Sequence, residues 1–250
     1  MVARAELERF LNEYLDVDQY QDYCPNGLQI EGSDNIQTIV TGVTASKALI
    51  DKAVELGADA ILVHHGYFWK GEFEPIVGLK KKRIASLISN DINLFAYHLP
   101  LDMHPVIGNN VQLALELGLD TINVGDSIPG FPGVVCELAE IQSVSHVKNL
   151  LSENLGFDAL HVGGSGKIKR IAICTGAAQD YIELLINKGI DAYISGEISE
   201  RTVHSAVEGG IHYFSAGHHA TERGGVRALG ELLNKEFDLR VVFVDLPVPV

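Results

Sequence analysis

Apolar positions along the chain switch between two periods, and the switches predict the elements. In residues 5–16, AELERFLNEYLD, Leu7, Phe10, Leu11 and Tyr14 recur at helical spacing. Pro25, Asn26 and Gly27 then mark a turn. Residues 36–41 read as a strand, and Ser46 to Leu56 as a helix capped by Thr44 or Ser46 and stopped at Gly57. Ala60 to Val63 is almost wholly apolar, as a buried parallel strand should be, and His64 and His65 follow it directly. This βαβ unit thus delivers two histidines at a strand's C-terminal end, where open α/β sheets bind ligands. The alternation continues with a helix in LKKKRIASLISND whose inner face is Ile84, Leu87 and Ile88. A strand from about Ile92 to Tyr97 leads to His98, Pro100 and Asp102, with Asp102 expected in irregular chain, and NNVQLALELGL is a further helix.

From about 121 to 167 the texture changes, with GDSIPGFPG rich in glycine and proline. VVCELAEI suits a strand, SVSHVKNLLSENLG a helix, and DALHVGGSGKIK ends in a hairpin or a linker. The rest echoes the first part: Thr-Gly recurs at 175–176 after 41–42, and GIDAYISGE from Gly189 matches GADAILVHH from Gly57. The offsets are 134 and 132 residues, which one two-residue deletion in a helix reconciles, and His64 and His65 fall opposite Gly196 and Glu197. IHYFSA reads as a strand, Thr221 to Asn234 as mostly helix, and LRVVFVDLPVPV closes with a strand. The expectation is an α/β protein of two pseudo-duplicated lobes, residues 1–125 and 168–250, joined by a connecting segment, 126–167.

Bulk properties narrow the chemistry. The chain has 250 residues, 46% apolar and 21% charged, with a formal net charge of -14. That charge argues against binding extended nucleic acid, though not against a single nucleotide held through cations. No stretch approaches a membrane span or a signal peptide, and Cys24, Cys136 and Cys174 form no disulfide framework, so a cytoplasmic location is expected. GGSGK at 163–167 lacks the phosphate-loop spacing, and there is neither GxGxxG nor GxSxG. A kinase, a dinucleotide-dependent dehydrogenase and a serine hydrolase are therefore disfavoured.

Metal chemistry is favoured instead. His218 and Glu222 are four apart in GHHATE, so a helix starting near His218 puts them on one face, with His219 pointing elsewhere. The candidate pool is His64, His65, His98, Asp102, His218 and Glu222. Imidazole with carboxylate suits Zn, Fe, Mn, Co or Ni. Two such ions bridged by a carboxylate, with Glu222 the best bridge, would activate water for hydrolysis. Phe68 and Trp69 read as packing aromatics or a pocket wall, Lys80 to Arg83 as a solvated helix face, and Asn26 and Gln29 as turn residues. His104, His146, His161, His204 and His212 receive no role, and no motif frames a cysteine nucleophile.

With these residues in hand, the chain resembles the GTP cyclohydrolase 1 type 2 homologue family, also described as NGG1-interacting-factor-like proteins. NGLQIEG at 26, GVTAS at 42, GADAILVHHGYFWKG at 57, NLFAYHLPLDMHPVIGNN at 93, GIDAYISGEISE at 189 and AGHHATERGG at 216 carry the likeness. It resembles the bacterial short form in particular. The resemblance implies two interlinked lobes with a dinuclear metal site between them. It implies His64, His65, Asp102, His218 and bridging Glu222 as ligands, with His98 and Glu197 as acid-base or supporting groups. It further implies a homohexameric ring built from dimers. It also implies a hydrolase opening the imidazole ring of GTP with release of formate. The alternatives are a metal-dependent hydrolase of damaged nucleotides or phosphoesters, and a metal-binding scaffold without turnover.

Overall fold

The computed structural model describes residues 1–121 and 128–250, so the expected seam at 125/126 lies outside the described residues. The chain forms two compact units, Met1–Ile107 with Gly225–Leu246, and Gly108–Gly224 with Pro247–Val250. The first unit begins with β1 (Val2–Ala3), α1 (Arg4–Tyr14), β2 (Gly27–Ile30), β3 (Asn35–Ile36) and β4 (Thr38–Thr44). It continues with α2 (Lys47–Glu55), β5 (Ala60–His65), α3 (Gly78–Ser89), β6 (Asn93–Ala96) and α4 (Leu99–Met103). The second holds α5 (Asn109–Glu116), β7 (Asp120–Thr121), β8 (Val134–Gln142), α6 (Val144–Leu155), β9 (Leu160–Gly163) and β10 (Ile168–Ile173). It then runs through α7 (Ile182–Leu185), β11 (Ala192–Ser195), α8 (Glu200–Gly209), β12 (His212–Ser215) and α9 (His218–Thr221). The helix α10 (Arg223–Phe237) and β13 (Arg240–Phe243) follow.

Each unit is built on a sheet with a parallel centre, β13-β4-β5-β6-β2 in the first and β7-β8-β10-β11-β12-β9 in the second. The apolar runs explain this burial on both faces. In β5, Ala60 and Leu62 join a core with Leu7 and Leu11 of α1 and Val226 and Leu229 of α10. The alternate residues Ile61 and Val63 face Leu49 and Ile50 of α2 and Leu87 of α3. In the second unit Ile171, Ile173 and Ile194 pack on Val147 and Leu151 of α6, while Ala172 and Tyr193 pack on Ile182 and Leu185 of α7.

The internal duplication is written in the sheet register. Ile39 pairs with Ala60 and Ile171 with Ala192, a common offset of 132 residues. Asp59 Oδ2 accepts the backbone N–H groups of Gln37 and Thr38, both at 2.8 Å. Asp191 Oδ2 does the same for Lys169 and Arg170, at 2.9 and 2.8 Å and again 132 residues on. The 134-residue offset of the Thr-Gly pairs is therefore not a structural equivalence. Thr41 and Gly42 lie inside β4, whereas Thr175 and Gly176 follow the end of β10, and no helix deletion is needed. Replacing Asp191 with alanine should cost about 1–3 kcal/mol, measurable by urea denaturation, because two strand-opening N–H groups lose a charged acceptor.

Several local expectations change. Ile88 is 57% exposed, since the inner face of α3 is Ile84 and Leu87 alone. Asp102 lies within α4, which Pro100 opens, rather than in irregular chain. DALHVGGSGKIK is no hairpin: β9 pairs with β12 and β10 with β8 and β11. The closing strand β13 pairs with β4, so residues 168–250 do not stay together as one lobe.

Candidate metal centre

In the first unit, β5 carries His64 and His65 to the C-terminal edge of the sheet. His64 is buried, and its Nδ1 lies 2.9 Å from the carbonyl oxygen of Tyr97, just past the end of β6. A carbonyl only accepts, so Nδ1 carries a proton, and Nε2 lies 3.4 Å from Asp102 Oδ1. Nδ1 of His65 is likewise within 3.2 Å of Thr44 Oγ1. The His64 ring centre is 4.5 Å from that of His65 and 5.1 Å from that of His98, and ligand atoms of all three histidines lie within 4.8 Å of one another. Trp69 sets its ring against His98 at 4.9 Å and 82°, making it a wall of this cluster.

In the second unit, α9 begins at His218 after Gly217, whose φ is +92°. His218 Nδ1 sits 2.6 Å from Glu197 Oε1, and Nε2 sits 3.2 Å from Glu222 Oε2. Burial works against protonation of His218, but the hydrogen bond and charge of Glu222, then those of Glu197, overcome it and lift its pKa to about 9. The backbone N–H of His219 donates to Val250 O at 3.2 Å. Gly176 and Gly196 make room for this arrangement. A Cβ on Gly176 would meet Glu222 Oε1 at 2.0 Å, and one on Gly196 would meet the His218 Cα at 2.7 Å.

The donor geometry fits a small divalent cation. Zinc-type bonds of about 2.1 Å at a tetrahedral angle separate two ligand atoms by about 3.4 Å, matching the 3.4 and 3.2 Å nitrogen–oxygen spacings. His64, His65 and His218 each have Nδ1 next to an oxygen, which leaves Nε2 as the nitrogen available to a metal.

The structure thus brings His64, His65, His98 and Asp102 together in one unit, and His218, Glu222 and Glu197 in the other. Sequence reasoning missed Asp22, Asn26 and Gln29. Asp22 Oδ1 lies 2.7 Å from His98 Nδ1, and Asn26 Oδ1 accepts the His98 backbone N–H at 2.7 Å. Gln29 Oε1 accepts Tyr67 N–H at 2.7 Å, anchoring the loop after the histidine pair. The only signal available was a polar cluster in YQDYCPNGLQ, which turn formation already accounted for. His161 Nε2 and His212 Nδ1 also meet at 3.0 Å, a pair with no place in the candidate centre.

Burial works against ionisation of Asp22, yet hydrogen bonds from His98 and Asn26, the His98 charge and Tyr23 N–H together bring its pKa down to about 2. A depressed carboxyl stabilises the fold above its ordinary value and loses that contribution as pH falls through the lowered one. Asp22→Asn should therefore destabilise the protein by roughly 2 kcal/mol at pH 7, with the deficit shrinking from about pH 4 and gone below pH 2. Chemical denaturation across this range measures it. By contrast His204 is exposed on α8, and His204→Ala should leave metal content unchanged and stability within about 0.5 kcal/mol; elemental analysis with a melting curve checks both.

Comparison with known proteins agrees with these motifs. A family model described as Duf34/NIF3 (NGG1p interacting factor 3) matches residues 2–248. A Pseudomonas aeruginosa protein named GTP cyclohydrolase 1 type 2 homolog is 51% identical, covering 99% of both chains. One of the same name from Vibrio cholerae is 52% identical over 98% of both. Among solved structures, the protein ybgI, described as of unknown function, is 49% identical with a TM-score of 0.95 over the whole of both chains. A crystal structure of a Thermus thermophilus protein is 34% identical with a TM-score of 0.89, again over both whole chains.

Proposed function

Given that the chain belongs to the Duf34/NIF3 family, we propose that it is a divalent-metal-dependent hydrolase that opens the imidazole ring of GTP and releases formate. The observation that carries the metal half of this reading is the matched pair of imidazole–carboxylate spacings, 3.4 Å at His64–Asp102 and 3.2 Å at His218–Glu222. The substrate half rests on relatives that bear the name GTP cyclohydrolase 1 type 2 homolog.

In this reading His64, His65, Asp102, His218 and Glu222 are the residues that would hold two divalent ions. When bound, the ions supply Lewis-acid activation of water and of the bond attacked. The protein's own groups do the rest. His98 takes a proton as the first water adds to the ring carbon and returns one to the departing ring nitrogen, then repeats the exchange as a second water cleaves the resulting formamide to an amine and formate. Glu197 holds His218 in the tautomer that presents Nε2. Trp69 walls the His98 side of the site.

The test is formate release from GTP by protein reloaded in turn with Zn, Mn, Fe and Ni. Metal-dependent release supports the cyclohydrolase reading. No release from protein carrying about two ions per chain ends it, and turnover of modified nucleotides or phosphoesters by the same samples would establish the broader hydrolase in its place. No turnover of any of these would favour a scaffold. A ring hexamer is part of the proposal: light scattering should give six times the 27.2 kDa chain mass.

A further inference from the structure

Asp22 is nearly inaccessible, its side chain 3% exposed, although it lies in a segment with no helix or strand of its own. Its four acceptor positions are filled. Oδ1 accepts from Tyr23 N–H at 2.6 Å and faces His98 Nδ1 at 2.7 Å. Oδ2 accepts from Asn26 Nδ2 and from Leu99 N–H, both at 2.9 Å. Asn26 closes the bracket by accepting the His98 backbone N–H through its Oδ1 at 2.7 Å. A carboxylate so occupied is ionised and can only accept, so the His98 Nδ1 must donate. The ring is then fixed from its other sides by Trp69 at 4.9 Å, His64 at 5.1 Å and His65 at 5.9 Å.

We infer that Asp22 is a positioning residue that locks His98 in the Nδ1–H tautomer, leaving Nε2 as the nitrogen that exchanges protons with substrate. The logic is that of the buried aspartate behind the histidine of serine hydrolases, met here beside metal-binding histidines. Asn26 adds the backbone half of the same constraint. The proton-exchange role rests on the hydrolase proposed above, whereas the locked tautomer stands on the Asp22–Asn26–His98 geometry alone.

Cys24 also lies within 4.8 Å of the Asp22 and His98 ligand atoms. A cation held there would have to displace the donors that fill the carboxylate. Burial, with the Asp22 charge adding to it, holds the Cys24 thiol up at about 12, in keeping with a protonated packing residue.

Asp22→Asn makes a sharp test. Both oxygens of Asp22 receive donors, and an asparagine has only one oxygen. Placing that oxygen toward Leu99 N–H and Asn26 turns the amide N–H2 onto His98 Nδ1, which must then become the acceptor. The tautomer inverts. The measurement is a long-range proton–nitrogen correlation spectrum of histidine-labelled, zinc-loaded protein at pH 8, with His98 assigned through His98→Gln. The wild type should show Nδ1 protonated and Nε2 with a lone pair, and Asp22→Asn should exchange the two signatures without loss of zinc. If the cyclohydrolase reading also holds, formate release should fall about 10²–10⁴-fold in kcat with KM little changed. A wild-type Nε2–H tautomer, or an Asp22→Asn spectrum with Nδ1 still protonated, overturns the inference. So does loss of zinc from a folded variant, which would make Asp22 a ligand. The wild-type spectrum decides even if the variant does not fold, and it decides whether or not GTP is turned over.

Discussion

Glu222→Ala is expected to strip most of the bound metal while the protein remains folded. Glu222 is 3% exposed, stands one helical turn from His218, and directs Oε2 to within 3.2 Å of its Nε2. Loss of an outer-shell partner typically weakens metal binding 10–100-fold, so loss of a buried carboxylate proposed as a direct ligand should exceed about 100-fold. Elemental analysis after dialysis should fall from about two ions per chain to well below one. A melting curve and circular dichroism would show that the loss is not unfolding. Full metal content in a folded Glu222→Ala protein would remove Glu222 from the proposed ligand set.

The second large effect is expected from a residue that touches no ion. Gly176→Ala should destabilise the protein by about 2–4 kcal/mol and also deplete its metal. Gly176 has φ +67°, where an L residue is strained, and an added Cβ would lie 2.0 Å from Glu222 Oε1. The backbone cannot retreat, because Gly176 O accepts from Gly196 N–H at 2.9 Å and from Ser195 Oγ at 3.2 Å. Its N–H donates to Thr221 Oγ1 at 3.1 Å. The carboxylate must therefore move. Gly166→Ala is the matched control: its φ is +98°, but nothing lies within 4 Å of the added Cβ. It should cost about 1–2 kcal/mol of strain and no metal. Equal metal loss in both variants would show that backbone strain, not the clash with Glu222, is responsible.

The difference between these glycines shows where sequence reading reaches its limit. The alternation of strands and helices was legible because both periods are strong, as in the buried run of β5 and the helical spacing of α1. The ligand-type residues stood out because histidine pairs at strand ends have few structural uses. Asp22 did not stand out. It is 76 residues from His98 in the chain, and its neighbours Pro25, Asn26 and Gly27 already spelled a turn. The Thr-Gly echo is visible but misaligns the halves: its second copy is set by the Glu222 carboxylate, while the true repeat is marked by Asp59 and Asp191. The strand β13 carried no mark of its destination, since pairing with β4 depends on sheet edges that no local pattern encodes.

That last pairing has a consequence for synthesis. In the finished sheet β4 lies between β13 and β5. On the ribosome β4 emerges nearly 200 residues before β13, and at about 5–20 residues per second the delay is roughly 10–40 s. Throughout it one side of β4 is an unprotected parallel edge, the kind of surface that recruits other chains. The intervening 108–224 stretch is nearly the whole of the second unit and can be completed first. The first unit, though begun earlier, is finished last, and translation pauses or truncations between Gly225 and Arg240 should be the ones that send the nascent chain to aggregation.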